Sequence, residues 1–223
     1  MIILAVNIAT AGICNTKKGY TMNNKYLFGL IAAIAVAFAA KMMNAPSGNG
    51  WISLFNGKDL TGWRASESGD FRVEDSAIVV RGKRAHLFSE KEFQNFEFKC
   101  EIMTQYGSNS GLYFHTQYEE SWPSRGYEVQ VNTSHGDPVK NGSLWGVVRS
   151  FDPIVKDNEW FTLEVKVDGK HVVTKVNGKV VVDYNELEGV TAGRRIDKGS
   201  FAIQAHDPKS VVRYRNIMVK PFN

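Results

Sequence analysis

Along most of the chain, apolar and polar positions alternate in short runs that are broken by Gly, Asn, Asp and Pro. A period of two puts successive side chains on opposite faces of a strand, so these runs predict half-buried β-strands. The clearest single run places Phe96, Phe98, Cys100 and Ile102 on one face. Residues 71–74 and 77–80 predict a hairpin around Asp75-Ser76, and further strands are predicted at 111–115, 127–131, 199–204 and 211–219. The stretch 160–184 predicts a three-stranded meander, with strands over 162–167, 171–176 and 179–184 joined at Asp168-Gly169 and Asn177-Gly178. Asp-Gly and Asn-Gly favour type I′ turns because both central residues need positive φ. Helical periodicity is almost absent. About ten strands at regular spacing, without internal repeats or an interdomain linker, predict one all-β domain. The expected architecture is a two-sheet antiparallel jelly-roll sandwich, with an up-and-down barrel as its rival.

The N-terminus departs from this pattern. Residues 27–40 form an uncharged apolar run of fourteen, preceded by Lys25, and a membrane span needs about 20. Ala37-Phe38-Ala39 supplies a small-x-small cleavage pattern, which completes the layout of a secretory signal peptide. The expected organisation is an over-extended start over 1–21, a signal peptide over 22–40 beginning at Met22, a short linker over 41–50 and a folded domain over 51–223. An exported protein, periplasmic or extracellular, follows; an uncleaved N-terminal anchor is the alternative. Ile13 stands where a lipidated cysteine at Cys14 would need a small residue. Cleavage would leave Cys100 as a lone thiol, so no disulfide framework is expected.

Composition changes the picture only modestly. A net charge of +4, with acidic and basic residues interspersed, gives no footprint for nucleic acid. Aromatic residues make up 12%, enough to fill a core and also to line a sugar cleft. Phosphate-binding Gly loops, dinucleotide fingerprints, His-Glu-x-x-His, Gly-x-Ser-x-Gly and Cys-rich zinc spacings are all missing. Three polar stretches remain as candidates. In 109–115, alternation puts Leu112 and Phe114 on one face, and Tyr113 and His115 on the other. In 125–132, Tyr127, Val129 and Val131 oppose Glu128, Gln130 and Asn132. In 204–208, His206 ends a strand just before Pro208, a rim position. Such rows are merely solvated on an open sheet face and form a polar floor beneath a cleft; periodicity does not choose between them. His86, His135 and His171 are expected in structural or loop positions.

The segment 54–63 (LFNGKDLTGW) resembles the opening motif of the 3-keto-disaccharide hydrolase domain family, whose fold is concanavalin-like. The similarity continues through 109–114 (NSGLYF), 126–131 (GYEVQV), 142–145 (GSLW), 158–160 (NEW), 176–179 (VNGK), 202–206 (AIQAH) and 215–217 (RNI). These landmarks follow the family's order and cover about residues 51–222. Two positions depart from the pattern: many relatives have Arg where His115 stands, and Trp145 replaces a common Tyr.

The resemblance implies action on glycosides already oxidised at C3 of the sugar. A 3-keto group acidifies the C2 proton; a base removes it, the enolate expels the C1 substituent, and water adds back. Such a site needs a base, a cationic or metal group for the enolate oxygen, and polar clamps for hydroxyls. On that reading Glu128, His206 and His115 form the reacting centre, as base or as ligands of a divalent metal ion. Arg125 or Lys140 would stabilise the enolate or grip a hydroxyl, Gln130 belongs to the cleft floor, and Tyr113, Trp122 and Trp145 would stack on sugar faces. The partner is a carbohydrate substrate, with no nucleic acid and no membrane after signal cleavage. Two alternatives stay open: a non-catalytic carbohydrate-binding module, and an ordinary glycosidase, which requires two facing carboxylates.

Overall fold

The computed structural model describes residues 49–66 and 69–223. The expected start, signal peptide and most of the linker lie outside the described residues. Among the described residues the regular elements are all strands: β1 (Ile52–Ser53), β2 (Trp63–Ala65), β3 (Asp70–Glu74), β4 (Ala77–Arg81), β5 (Ala85–Phe93), β6 (Asn95–Thr104), β7 (Asn109–Thr116), β8 (Tyr127–Asn132), β9 (Phe161–Asp168), β10 (His171–Val176), β11 (Lys179–Asn185), β12 (Gly199–Ala205) and β13 (Val211–Phe222). They form two antiparallel sheets. The larger runs β11-β10-β9-β6-β13-β4-β3, with β1 added beside β13; the smaller runs β2-β5-β12-β7-β8. This is the sandwich that the alternation predicts, and the strand order excludes a sequential barrel.

The meander forms as expected, with one turn shifted. Asn177 and Gly178 both have positive φ and join β10 to β11. Between β9 and β10, however, Asp168 pairs with His171, so the turn residues are Gly169 and Lys170. Only Gly169 has positive φ there, which is the type II′ pattern. Strand β5 has no alternating signature because Ala85, His86, Leu87, Phe88 and Ser89 are all buried. A strand covered on both faces loses the period of two.

The core lies between the sheets. Phe96, Phe98, Cys100 and Ile102 of β6 face Leu112 and Phe114 of β7 and Phe201 and Ile203 of β12. Aromatic packing is dense here: Phe201 stands 4.6 Å from Phe98 and 4.9 Å from Phe96, centroid to centroid. Cys100 is buried, and burial pushes its thiol well above the usual range, so it behaves as a small hydrophobe. With β7, β8 and β12 committed inward through Leu112, Val129, Val131 and Ile203, the alternate residues Tyr113, Glu128, Gln130 and Gln204 must face outward on the smaller sheet.

Candidate functional site

Those outward residues floor a cleft of about 410 Å³, lined by Asn109, Tyr113, Trp122, Pro123, Glu128, Gln130, Asp137, Trp145, Arg194, Gln204 and His206. A larger depression of about 580 Å³ lies on the other sheet around Lys99, Glu101 and Glu164. Its Glu101 is taken up by an ion pair with Arg215 at 2.6 Å. Convergent buried polar groups distinguish the smaller cleft.

Register explains the floor. Tyr113 of β7 pairs with Glu128 of β8, and Gly111 pairs with Gln130. Gln204 Nε2 donates to the Tyr113 hydroxyl at 2.8 Å and to Glu128 Oε1 at 3.3 Å. Glu128 packs onto the open face of Gly111: a Cβ there would stand 2.4 Å from Glu128 Oε1, so any larger residue would push the carboxyl aside. Burial raises the Glu128 carboxyl above its ordinary value, against the opposing pull of the Tyr113 hydrogen bond and of Arg194, His206 and Gln204. Gln204 Oε1 is a buried acceptor with no donor, a state that is rare and costly. Beside the floor, on β5 where it pairs with Gln204, His86 is buried against Tyr113, Phe88 and Trp122; burial, then Arg84, pushes its imidazole down to about 4.

One rim carries the titratable cluster. His206 leaves the end of β12, and its Nδ1 lies 3.0 Å from Asp207 Oδ2. Asp207 also accepts from Ser210 Oγ at 2.6 Å and from the Lys209 amide at 2.8 Å. These contacts and His206 offset the cost of burial and hold its carboxyl at about 2. An ionised Asp207 can only accept, so Nδ1–H of His206 is the donor of this bond and Nε2 is the ring nitrogen it leaves unengaged. His135 packs edge-on to His206 at 5.6 Å, and its Nδ1 accepts from the Asp137 amide at 3.1 Å. The nitrogen and oxygen ligand atoms of His135, His206 and Asp207 lie within 4.8 Å of one another, so these are the described residues able to share a metal ion. Asp207 and His135 Nδ1 also accept the hydrogen bonds given above.

The rest of the cleft wall is aromatic and basic. The segment after β8 folds back so that the Trp145 amide donates to the Glu128 carbonyl at 2.9 Å, which sets the half-exposed indole over the floor. The Arg194 guanidinium stands 4.9 Å over the Trp145 ring. Trp122 flanks the cleft against His86 and His206.

The model of the 3-keto-alpha-glucoside-1,2-lyase-like domain matches residues 50–220. The chain belongs to this family. Among curated proteins it is similar to a 3-keto-disaccharide hydrolase of Bacteroides thetaiotaomicron, 24% identical over 171 residues, which covers 61% of this chain and 59% of the relative. The chain thus spans about three-fifths of that relative's length. A solved candidate glycosyl hydrolase of Parabacteroides distasonis superposes with a TM-score of 0.69 at 23% identity, covering 81% of this chain and 99% of that one. A carbohydrate-binding module of Bacillus subtilis superposes with a TM-score of 0.55 at 14% identity, covering 71% of this chain and 95% of that one. These structural likenesses show the fold alone.

Part of the expected residue set converges. Glu128, His206, Tyr113, Gln130, Trp122 and Trp145 all line the cleft. His115 does not. Register slips between β7 and β12 at Ser200/Ala202, and His115 takes a φ of 56°, the mark of an extra residue in β7. The bulge breaks the alternation and turns the ring onto Phe96, with centroids 5.6 Å apart. There its Nε2 meets the Gln94 carbonyl at 2.8 Å and its Nδ1 accepts from the Asp197 amide at 3.1 Å. Both nitrogens are spent, so His115 is not placed to be base or ligand. Arg125 is also elsewhere, bonded to Gln117 and Asp197. Lys140 points into its own loop, where Nζ donates to the carbonyls of His135 and Asp137 at 2.9 Å each. Sequence reasoning missed Arg194, Asp137 and the pairing of His206 with Asp207 and His135, and it gave Asn109 and Gln204 no role although both lie in its candidate stretches. Asn109, Gln204 and Asp207 left a local signal, since all three lie in the candidate stretches 109–115 and 204–208.

Proposed function

We propose that this protein cleaves 3-keto-glycosides by removing the C2 proton, eliminating the C1 substituent and adding water, and that it does so outside the cytoplasm. The observation that carries the reading is a division of labour in one cleft: an imidazole held in one tautomer by Asp207, and a buried carboxyl whose proton is held more tightly than usual. His206 Nε2 is the base that takes the C2 proton. Glu128 is the acid that protonates the departing C1 oxygen. The electron pair of the broken C2–H bond becomes the C1–C2 double bond as the aglycone leaves, giving a conjugated enone. Water then adds at C1 and a proton returns to C2. Gln204 Oε1 and Gln130 accept and donate to sugar hydroxyls, while Trp122 and Trp145 offer their faces to the ring.

No step of this reading is routed through a metal. A divalent cation, if bound, would be held by His135, His206 and Asp207 and would polarise a substrate oxygen. The export assignment rests on the leader-like pattern of residues 22–40. The fold is also that of a carbohydrate-binding module, and a purely binding role is the second reading.

The test is aglycone release from a 3-keto-glucoside and from its unoxidised parent, with and without chelator. Release from the keto compound alone, unchanged by chelator, is expected. Loss with chelator that returns on adding a divalent ion would overturn the metal-free assignment. No release from either compound, with sugar binding seen by calorimetry, would move the protein to the binding-module reading.

A further inference from the structure

Elimination from a 3-keto sugar places a negative charge on O3 once the C2 proton is gone. The two basic residues that sequence offered for that charge, Arg125 and Lys140, are both engaged away from the cleft. Arg194 is not. It lines the cleft, stacks on Trp145 and has no carboxylate partner among the described residues. Its field reaches both the Glu128 carboxyl and the Tyr113 hydroxyl.

Arg194 sits on loop 186–198, which is anchored at four points. Glu186, buried, accepts from the Tyr127 hydroxyl and from the Ile196 amide, both at 2.6 Å. The Gly193 carbonyl accepts from the Gly126 amide at 3.0 Å; a Cβ on Gly193 would come within 2.0 Å of the Ser124 carbonyl oxygen, so only glycine lets these segments meet. Asp197 receives Arg125 at 3.2 Å. The Asp197 amide donates to His115, whose other nitrogen is held by Gln94. His115, Arg125 and Tyr127 therefore act on the two sides of Arg194 without touching the cleft.

We infer that Arg194 is the residue that holds the enolate oxygen formed at C3, and that His115 is a positioning residue that latches loop 186–198 so that the guanidinium stands over the floor. This rests on the 3-keto reading above. In the step concerned, the C2–H electron pair forms C2=C3, the carbonyl π pair moves onto O3 opposite Arg194, and the proton goes to His206 Nε2. Collapse of the enolate restores C3=O as the C1–O bond breaks.

The experiment uses the full chain and a 3-keto-glucoside. It follows aglycone release together with C2 hydrogen exchange into deuterated water by NMR, which reports enolate formation without bond cleavage. For Arg194→Ala both rates should fall on the order of 10²–10³-fold, the cost of removing an oxyanion donor. Arg194→Lys should keep part of the rate, and free guanidinium ion should restore part of it to Arg194→Ala; a residue that merely braced the loop would show neither. His115→Ala should lower kcat about 10- to 100-fold, as misplacement by about an ångström does. His115→Asn, which can accept the Asp197 amide and tolerates positive φ, should lose less. An active wild type whose Arg194→Ala variant keeps both rates within threefold overturns this inference alone. A wild type inert on the keto substrate overturns the 3-keto reading and this inference with it.

Discussion

Substitution of Gly111 by Ala tests the placement of Glu128 with the smallest available perturbation. The added methyl would lie 2.4 Å from Glu128 Oε1 and 3.0 Å from Cδ and Cγ, whereas ordinary contact begins at 3.4 Å. The carboxyl must therefore withdraw by the difference, about 1 Å. Glu128 is only 6% exposed, and its Oε1 already lies at 3.3 Å from Gln204 Nε2, so withdrawal breaks that contact. Displacing a reacting group by about 1 Å costs on the order of 10²-fold in rate. Overpacking costs about 1–3 kcal/mol, which for a domain of this length lowers Tm by roughly 2–12 °C. The assay is kcat on a 3-keto-glucoside well below the variant's own melting temperature, with the melt recorded in parallel. A folded Gly111→Ala protein that keeps kcat within threefold would refute the assignment of Glu128 to the reacting centre.

Glu128→Gln should lower kcat about 10²- to 10⁴-fold. Because burial raises the folded carboxyl above its ordinary 4.5, its contribution to stability is full below that value and declines as pH rises through the raised one. Melts of Glu128→Gln against pH should lack that decline, and a parallel pH profile would contradict the raised value. Asp207 has the opposite sign: its stabilisation is present above the ordinary 3.8 and is lost as pH falls through about 2. Asp207→Asn should remove this acid-side loss from the melts and cut kcat about 10²-fold by freeing the His206 tautomer; unchanged kcat would show that Nε2 is not the base. Trp145→Ala should raise KM more than it lowers kcat, since stacking serves substrate and transition state alike; a pure kcat effect would instead place Trp145 in the chemical step.

Much of the fold was legible because one face of nearly every strand had to be apolar. The β6 row, the hairpin at Asp75-Ser76 and the β10–β11 turn at Asn177-Gly178 follow from local chemistry alone. Strand β5 escaped detection because burial on both faces erases alternation, and the β9–β10 turn moved by one residue because Gly169 alone satisfies a type II′ turn. The site was legible by halves. Alternation along 127–132 separates Glu128 and Gln130 from Val129 and Val131, and that separation stands. The same rule failed at His115 because one bulged residue reverses every facing that follows it.

The sequence by itself determined most of the strands, the two faces of those that alternate without a bulge, and the family, since each depends on residues close together or on ordered motifs along the chain. Tertiary structure decided which polar row lies under a cleft. It also decided which distant groups converge there: His135 and Asp137 from the loop after β8, Arg194 from the loop before β12, and His206 with Asp207 from the loop after it. Periodicity fixes on which side of a strand a residue stands, but not what the other end of the chain brings to face it. That depends on how the sheets stack and how loops such as 186–198 are latched, through contacts such as His115 to Asp197 and Tyr127 to Glu186 that span tens of residues.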